Sequence, residues 1–250
     1  MMIDDIKGKV AFLTGAAEGL GYQIAKAYAR AGLKIALMDV QADKLHRLAD
    51  ELQAGGTDCL PIVVDLADAA ATQAAVDQAL AHYGTPRVLV HNAAVLKEVS
   101  MIDVKFENWR RELDIIIQAA FILSKAVWQP MIDAKGGSIV YVSSGSALRG
   151  FVKETAYTPG KHAQEGLMRM LALEGQPFNI AVNTITTGAP INTPMSASHY
   201  TEEMMSRWVD PALLAPAFVF LAHIDTSTGT GQRYDAWQLS EALRTAGGYK

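Results

Sequence analysis

The 250-residue sequence contains one cysteine, Cys59, and no cluster of basic residues. A single cysteine excludes an internal disulfide and offers no metal cluster. The 22 Lys and Arg against 26 Asp and Glu give a formal charge of −4, which argues against nucleic acid as a partner. No uninterrupted apolar run reaches the roughly 18 residues of a membrane span, and the acidic start MMIDD does not resemble a signal peptide. We therefore expect a cytoplasmic protein with no membrane or nucleic-acid partner.

The chain also lacks a linker rich in Pro, Gly or Ser, a low-complexity stretch and an internal repeat. Half of its residues are hydrophobic (50%), and short apolar runs alternate with helical patterns. This alternation predicts one α/β domain over residues 1–250, built on a doubly wound parallel sheet. The predicted strands lie near residues 9–13, 34–38, 60–64, 87–90, 138–142, 179–185 and 232–234.

A glycine-rich turn follows the first apolar run. Residues Thr14 to Gly21 read TGAAEGLG and precede a helical pattern. Glycines let a backbone approach a ligand closely, and the free amides and dipole of a helix N-terminus attract an anion. The turn therefore predicts a site for a dinucleotide pyrophosphate, although an ordinary tight strand-to-helix connection has the same pattern. The predicted contacts are Gly15, Glu18, Gly19 and Leu20.

An acidic residue ends the second apolar run. Asp39 follows Gly21 by eighteen residues, at the distance where a carboxylate accepts hydrogen bonds from both adenosine ribose hydroxyls. A carboxylate there would repel a 2′-phosphate, and neither Met38 nor Val40 supplies the cation that NADP needs. Together with Glu18 in the glycine turn, this favours NAD. Asp39 could also cap the helix predicted from residue 41 to 52, and the two roles are compatible.

Tyr157 and Lys161 stand four residues apart, so on a helix both side chains lie on one face. A nearby lysine cation favours the phenolate and would make Tyr157 a usable general acid or base. Ser144, thirteen residues upstream, completes a candidate acid/base site. By itself, a Tyr and a Lys at this spacing also suit a solvated amphipathic helix.

Pro159 lies between Tyr157 and Lys161. A proline inside a helix removes a backbone hydrogen bond and is tolerated only in the first turn. The helix is therefore predicted to begin near residue 155 or 156.

Taken together, these residues resemble the short-chain dehydrogenase/reductase family of the classical type. TGAAEGLG is similar to the family's TGxxxGxG, YTPGK is similar to its YxxxK, and Ser144 falls where the family has its catalytic serine. His91-Asn92-Ala93-Ala94 resembles the NNAG element beside the adenosine, and Asp65 resembles the acidic residue that meets the adenine amino group. The resemblance implies further cofactor contacts from Asp65, Leu66, Asn92, Ala93, Tyr157, Lys161, Gly188, Ile191 and Thr193.

The resemblance implies an oxidoreductase that interconverts an alcohol and its carbonyl by hydride transfer, with NAD as cofactor. In such a reaction Tyr157 would move the hydroxyl proton, and Ser144 would hydrogen-bond the substrate oxygen. Lys161 would lower the pKa of Tyr157 and hold the nicotinamide ribose. The implied partners are a small-molecule alcohol or carbonyl substrate and further copies of the chain in a homotetramer, and no metal is expected.

Three segments depart from the family pattern. Ile116 stands where the family has an asparagine that helps to hold a proton-relaying water, so proton exchange needs another route or activity is weakened. In the loop expected over the carboxamide, Thr187 replaces the usual proline, and residues 189–210 beyond it are predicted to form a substrate lid. After Thr230-Gly231-Gln232 the usual ending is replaced by a short helical pattern.

These departures keep two alternatives open. One is a protein that binds a nicotinamide cofactor with little or no turnover, as a sensor or structural subunit. The complete set of Ser144, Tyr157 and Lys161 argues against it. The other is a reductase that prefers NADP, which Asp39 and Glu18 oppose.

Overall fold

Seven short apolar segments form one parallel sheet. The computed structural model describes residues 6–247. The strands are Val10–Thr14 (β1), Lys34–Asp39 (β2), Cys59–Val63 (β3), Val88–His91 (β4), Gly137–Val142 (β5), Ile180–Thr186 (β6) and Arg233–Asp235 (β7). They follow the order β3-β2-β1-β4-β5-β6-β7. The predicted doubly wound sheet is therefore confirmed, and each strand lies within one residue of its predicted bounds.

Helices cover both faces of the sheet. In chain order they are Gly19–Arg30 (α1), Ala42–Ala54 (α2), Ala69–Tyr83 (α3), Phe106–Leu113 (α4), Ala119–Asp133 (α5), Tyr157–Gly175 (α6), Pro194–Ala197 (α7), Glu202–Met205 (α8), Ala215–His223 (α9) and Ala236–Thr245 (α10). Successive strand residues point to opposite faces, and accordingly Phe12 and Leu13 of β1 belong to two separate apolar cores. The two cores, one on each face of the sheet, bury nearly all of the central strands and leave their carboxyl ends open to ligands.

A π-helical turn, Asp114–Gln118, joins α4 to α5. In this turn the amide of Ala119 donates to the carbonyl of Asp114, five residues earlier. Within residues 6–247, the continuous helix 106–133 is the one that is long and apolar enough to cross a membrane by length and composition. Part of its apolar character is explained by packing, because Leu123 and Met131 are buried in the core of the domain.

Helix α6 begins at Tyr157, with Ala156 at the N-cap. Pro159 therefore lies in the first turn, where its missing amide costs no helical hydrogen bond, as the sequence predicted. Gly160 faces the π-helical turn, and a Cβ at this position would lie 3.1 Å from Cγ2 of Ile116. Ile116 is fully buried and packs in the core.

Candidate active site

A cavity of about 390 Å³ lies at the carboxyl ends of the parallel strands. Parallel strands end at the same edge of the sheet, so residues that are distant in sequence meet there. All but one of the predicted site residues line the cavity. They are Gly15, Glu18, Gly19, Leu20, Asp39, Asp65, Leu66, Asn92, Ala93, Ser144, Tyr157, Lys161, Ile191 and Thr193.

Gly188 is the exception, because Thr187 lines the cavity in its place. Gly188 has a φ of +74°, and a Cβ there would lie 1.9 Å from Oδ1 of Asp235. The same Oδ1 accepts a hydrogen bond from the amide of Gln238 at the start of α10. The role of Gly188 is therefore to let the backbone pass this carboxylate, a constraint that the family pattern did not reveal.

The glycine turn forms a cradle that only glycine permits. A Cβ on Gly21 would lie 1.8 Å from the carbonyl oxygen of Gly15. Asn92 fixes the turn, because its Nδ2 donates to the carbonyls of Gly15 (2.8 Å) and Thr14 (3.2 Å). The cradle leads into the N-terminus of α1 at Gly19. Bare backbone at a helix N-terminus fits the pyrophosphate of a dinucleotide.

Asp39 presents a buried carboxylate at one end of the cavity. Its Oδ2 accepts from the amide of Ala17 and its Oδ1 from the amide of Gln41, both at 2.9 Å. Helix α2 begins at Ala42 with Gln41 at the N-cap, so Asp39 steadies the turn before the helix and is not its cap residue. Because each carboxylate oxygen has a second lone pair, Asp39 can still accept hydrogen bonds from a ligand.

Two cations that the sequence analysis did not single out accompany the acidic residues of the cavity. Lys44 on α2 forms an ion pair with Glu18. Arg111 on α4 pairs with Asp65 at 2.9 Å and also lines the cavity. Both cations come from helices distant in sequence from their partners, so no local pattern could indicate them. Glu18 and Asp65 are therefore each paired with a cation, whereas Asp39 accepts from backbone amides.

Ser144 and Tyr157 lie together in the cavity. Ser144 caps the 3₁₀ turn Gly145–Ala147, and its Oγ accepts from the amide of Ser146 at 3.2 Å. Burial raises the pKa of Tyr157 above its ordinary value, and a hydrogen bond from Ser144 acts in the opposite direction. In these surroundings the phenol is the stable form of Tyr157, which differs from the expectation that Lys161 lowers its pKa.

The ammonium of Lys161 is buried beneath the same cavity. Its Nζ donates to the carbonyl of Val142 at 2.7 Å and to Oε1 of Gln164 at 3.0 Å, and it lies 5.4 Å from the ring centroid of Tyr157. Burial lowers the pKa of Lys161 from 10.5 to about 7, while the charge of Glu165 raises it. The ammonium of Lys161 thus lies close to the ring of Tyr157, and it loses its proton near neutral pH.

His91 is fully buried and connects β1 to the π-helical turn. Its Nδ1 lies 2.9 Å from Oγ1 of Thr14, and its Nε2 lies 3.0 Å from the carbonyl of Ile115 and 3.2 Å from that of Ile116. A carbonyl can only accept, so Nε2 carries the proton and Nδ1 accepts from the threonine hydroxyl. Burial, together with the charge of Lys161, lowers the pKa of His91 from 6.5 to about 4. His91 is therefore a neutral structural group.

A largely buried ion pair acts on the charge of Lys161. Glu165 on α6 pairs with Arg233 on β7 and accepts from the hydroxyl of Ser143 at 2.6 Å. Nη2 of Arg233 donates to the backbone carbonyl of Ser144 at 2.8 Å. The edge strand thereby holds the backbone of the cavity serine, although Arg233 lies 89 residues from it in sequence.

Sequence reasoning missed Gln164, Glu165 and Arg233. Gln164 follows Lys161 by three residues, and this helical spacing was the one signal that could have paired them. For metals, a search of residues 6–247 finds no group of three or more His, Cys, Asp or Glu side chains that could hold an ion.

The chain is similar in sequence to known dehydrogenases. The family model for short chain dehydrogenases matches residues 9–204. The chain is 32% identical over 237 residues to trans-4-hydroxycyclohexanecarboxylate dehydrogenase of Sinomonas cyclohexanicum, covering 91% of each chain. It is 35% identical over 181 residues to D-threitol dehydrogenase of Mycolicibacterium smegmatis, covering 72% of this chain and 70% of that one.

A solved structure has the same fold and holds a cofactor. L-sorbose reductase of Gluconobacter frateurii, in complex with NADPH and L-sorbose, superimposes with a TM-score of 0.83 at 28% identity. The match covers 92% of this chain and 95% of the reductase. The names of these relatives give different substrates, and the reductase structure holds the phosphorylated cofactor.

Proposed function

Because the chain belongs to the short-chain dehydrogenase family, and because its relatives are oxidoreductases, we propose that it is an NAD-dependent enzyme that interconverts an alcohol and its carbonyl. The observation that carries this proposal is the meeting of Ser144, Tyr157 and Lys161 in one cavity with the glycine cradle. A protein that only bound the cofactor would have little need to keep this set complete.

In the proposed reaction Tyr157 exchanges the proton of the substrate hydroxyl through its phenolic oxygen. Ser144 hydrogen-bonds the substrate oxygen and steadies the charge that develops on it. Bound NAD supplies the hydride chemistry, and the protein supplies orientation and electrostatics. Lys161 retains one N–H beyond its bonds to Val142 and Gln164, and we assign it to the nicotinamide ribose. A positive cofactor beside Tyr157 would oppose the effect of burial on its pKa.

The preference for NAD is supported by the buried carboxylate of Asp39, which would repel a 2′-phosphate. The proposed contacts of the adenosine half are Glu18, Asp39, Asp65, Leu66, Asn92 and Ala93, and those of the nicotinamide half are Tyr157, Lys161, Ile191 and Thr193. NADP is the second candidate, and Lys44 beside Glu18 is the observation that favours it. The NADPH complex of L-sorbose reductase agrees with that candidate at the level of the family.

The proposal extends to the lid and the assembly. Residues 189–210 carry the short helices α7 and α8 beside the cavity, and we assign them to a substrate lid. A homotetramer is supported by the large exposed apolar side chains of α5 and α6, which include Phe121 (52%), Met170 (42%) and Leu173 (75%). Light scattering of the purified protein tests the assembly. The proposed site of action is the cytoplasm, where a nicotinamide pool is available.

The test is formation of NADH by the purified protein with NAD and a panel of secondary alcohols, polyols and cyclic hydroxy acids. We expect turnover that falls by a factor of about 10² to 10⁴ in Tyr157→Phe, the usual contribution of a general acid or base. The matched control is Tyr83→Phe, because Tyr83 lies on the distant helix α3 and its hydroxyl bonds Asp58.

The competing possibility is a cofactor-binding protein without turnover. It would be supported if NAD binds, no alcohol or matching carbonyl reacts, and Tyr157→Phe behaves like the parent protein in every assay. Turnover in the parent that Tyr157→Phe does not reduce would show that Tyr157 is not the proton carrier.

A further inference from the structure

Gln164 is a fully buried polar residue with both ends of its side chain engaged. Its Oε1 accepts from Nζ of Lys161 at 3.0 Å, and its Nε2 donates to the carbonyl of Ile116 at 2.8 Å. The orientation of the amide is fixed by its partners, because an ammonium can only donate and a carbonyl can only accept. Gln164 thus connects α6 to the π-helical turn through one side chain.

The π-helical turn provides the carbonyl that Gln164 needs. The Ala119 amide is bonded to Asp114, and the carbonyls of Ile115 and Ile116 accept from side chains. His91 contacts both carbonyls, and Gln164 donates to that of Ile116. Both partners are buried and well placed, and a buried carbonyl left without a donor costs free energy. The amide of Gln164 is therefore held in place by a hydrogen bond at each end.

We propose that Gln164 is a positioning residue that fixes the Lys161 ammonium, so that one N–H of Lys161 remains directed to the ligand in the cavity. An ammonium has three donors, and the carbonyl of Val142 and Oε1 of Gln164 take two of them. Gln164 also opposes the desolvation of Lys161, since an acceptor at hydrogen-bond distance favours the charged form. The role of Lys161 in catalysis rests on the proposed function, whereas the effect of Gln164 on Lys161 does not.

The other titratable groups considered near Lys161 are His91, Tyr157, Glu165 and Glu112. His91 on β4 stays neutral above about pH 4. On α6, Tyr157 titrates only at high pH, and Glu165 is paired with Arg233 of β7. The carboxyl of Glu112 on the neighbouring helix α4 has Lys97, Glu154 and His199 as its charged neighbours. Lys161 is therefore the buried group of this region that titrates between pH 6 and 9.

The first test measures stability against pH and needs no substrate. Because the pKa of Lys161 is lower in the folded protein, the unfolded chain binds more protons between about pH 7 and 10.5. The free energy of unfolding therefore contains a contribution from Lys161 that rises with pH over this interval. Urea unfolding of the parent and of Lys161→Met, compared at each pH, isolates that contribution. The surface groups and the other five histidines are common to both proteins and cancel, and the change that Lys161→Met causes in the His91 titration lies on the acid side of this interval.

Two substitutions at position 164 should shift the pH at which the free energy of unfolding begins to rise, and they should shift it in opposite directions. Gln164→Leu removes an acceptor from the ammonium, so the rise should begin at lower pH. Gln164→Glu places a carboxylate beside the ammonium, so the rise should begin at higher pH. Each variant is also made in the Lys161→Met background, where the rise between about pH 7 and 10.5 should be absent. Met168→Leu, one turn further along α6 in the apolar core, is the matched control and should shift nothing.

A uniform loss of stability at all pH values, with no dependence on Lys161, would show that Gln164 is only a packing residue and overturn the proposal. If Gln164→Leu does not fold, Gln164→Glu alone decides, because its predicted shift has a sign that loss of packing cannot produce.

The second test is activity. Gln164→Leu should lower kcat/KM with NAD and the best alcohol by about tenfold to a hundredfold, the size expected for one hydrogen bond to a charged group. The loss should depend on pH and follow the shifted titration, and Gln164→Glu should be less affected. If the parent shows no turnover, the proposed function fails while the stability test still decides the role of Gln164. If the parent turns over and Gln164→Leu loses nothing at any pH, the positioning role is overturned.

Discussion

The guanidinium of Arg233 donates to the backbone carbonyl of Ser144 at 2.8 Å while its other nitrogen pairs with the buried carboxylate of Glu165. The side chain of Glu165 is only 3% exposed, and that of Arg233 is 19% exposed. A short edge strand near the end of the chain thus neutralises a charge beneath the cavity and fixes the cavity serine. Its contribution is visible only in three dimensions.

Arg233→Met should destabilise the protein by about 3–5 kcal/mol, since it leaves the carboxylate of Glu165 buried without its cation. Urea unfolding measures the change. The double variant Arg233→Met/Glu165→Gln should recover part of the loss because no unpaired charge remains. If the double variant is as unstable as the single one, the ion pair is not the source of the effect. Turnover should remain low in both variants, because the carbonyl of Ser144 has lost its donor.

Asp39→Ala should weaken NAD binding by about tenfold, the scale of a lost hydrogen bond, and strengthen NADP binding. Fluorescence titration with each reduced cofactor gives both dissociation constants. Adding Lys44→Ala should reduce the gain for NADP, because it removes the cation nearest to Glu18. The control is Asp43→Ala, which removes an exposed carboxylate next to Lys44 on α2. Unchanged NADP affinity in Asp39→Ala would contradict our interpretation of Asp39.

His91→Asn should flatten the acid limb of the stability profile. Burial lowers the pKa of His91 from 6.5 to about 4, so the unfolded chain binds more protons between these values. The stability that neutral His91 provides is complete above pH 6.5 and is lost as the pH falls toward 4. Urea unfolding at intervals across this range tests the change in slope. His46→Asn, at an exposed position of α2, is the control, and an equal effect of both variants would refute the assignment.

Gly21→Ala should abolish cofactor binding and lower the free energy of unfolding by at least about 1–3 kcal/mol, because its Cβ would lie 1.8 Å from the carbonyl oxygen of Gly15. Calorimetry of NADH binding and urea unfolding measure the two effects. Gly166→Ala on α6 is the matched control, since a Cβ there meets nothing within 4 Å. It should raise stability by up to about 1 kcal/mol through helix propensity. Normal NADH binding by Gly21→Ala would rule out the cradle as the pyrophosphate site.

The features that the sequence predicted well depend on local chemistry. The start of α6 followed from Pro159, whose missing amide restricts it to the first turn. The seven strands followed from apolar runs bounded by turn residues, and the cavity followed from where those runs end. In each case a few neighbouring residues are sufficient to determine the backbone.

The features that it did not predict depend on contacts between distant segments. Gly188 was expected at the cavity, but its conformation serves the passage of the Asp235 carboxylate. The partners of Glu165 and Gln164 come from β7 and the π-helical turn, and no spacing rule relates those segments to α6. The pKa of Tyr157 depends on how deeply the ring is buried, which the Tyr–Lys spacing does not state.

The two halves of the cavity come from different stretches of the chain, so they are synthesised at different times. During synthesis from the N-terminus, β1, β2, β3 and β4 have all emerged by residue 91, so the cradle and its Asn92 clamp can form early. Ser144 is synthesised later, and its anchor Arg233 follows it by 89 residues. A nascent chain could therefore acquire a place for the cofactor well before the acid/base half of the site is assembled.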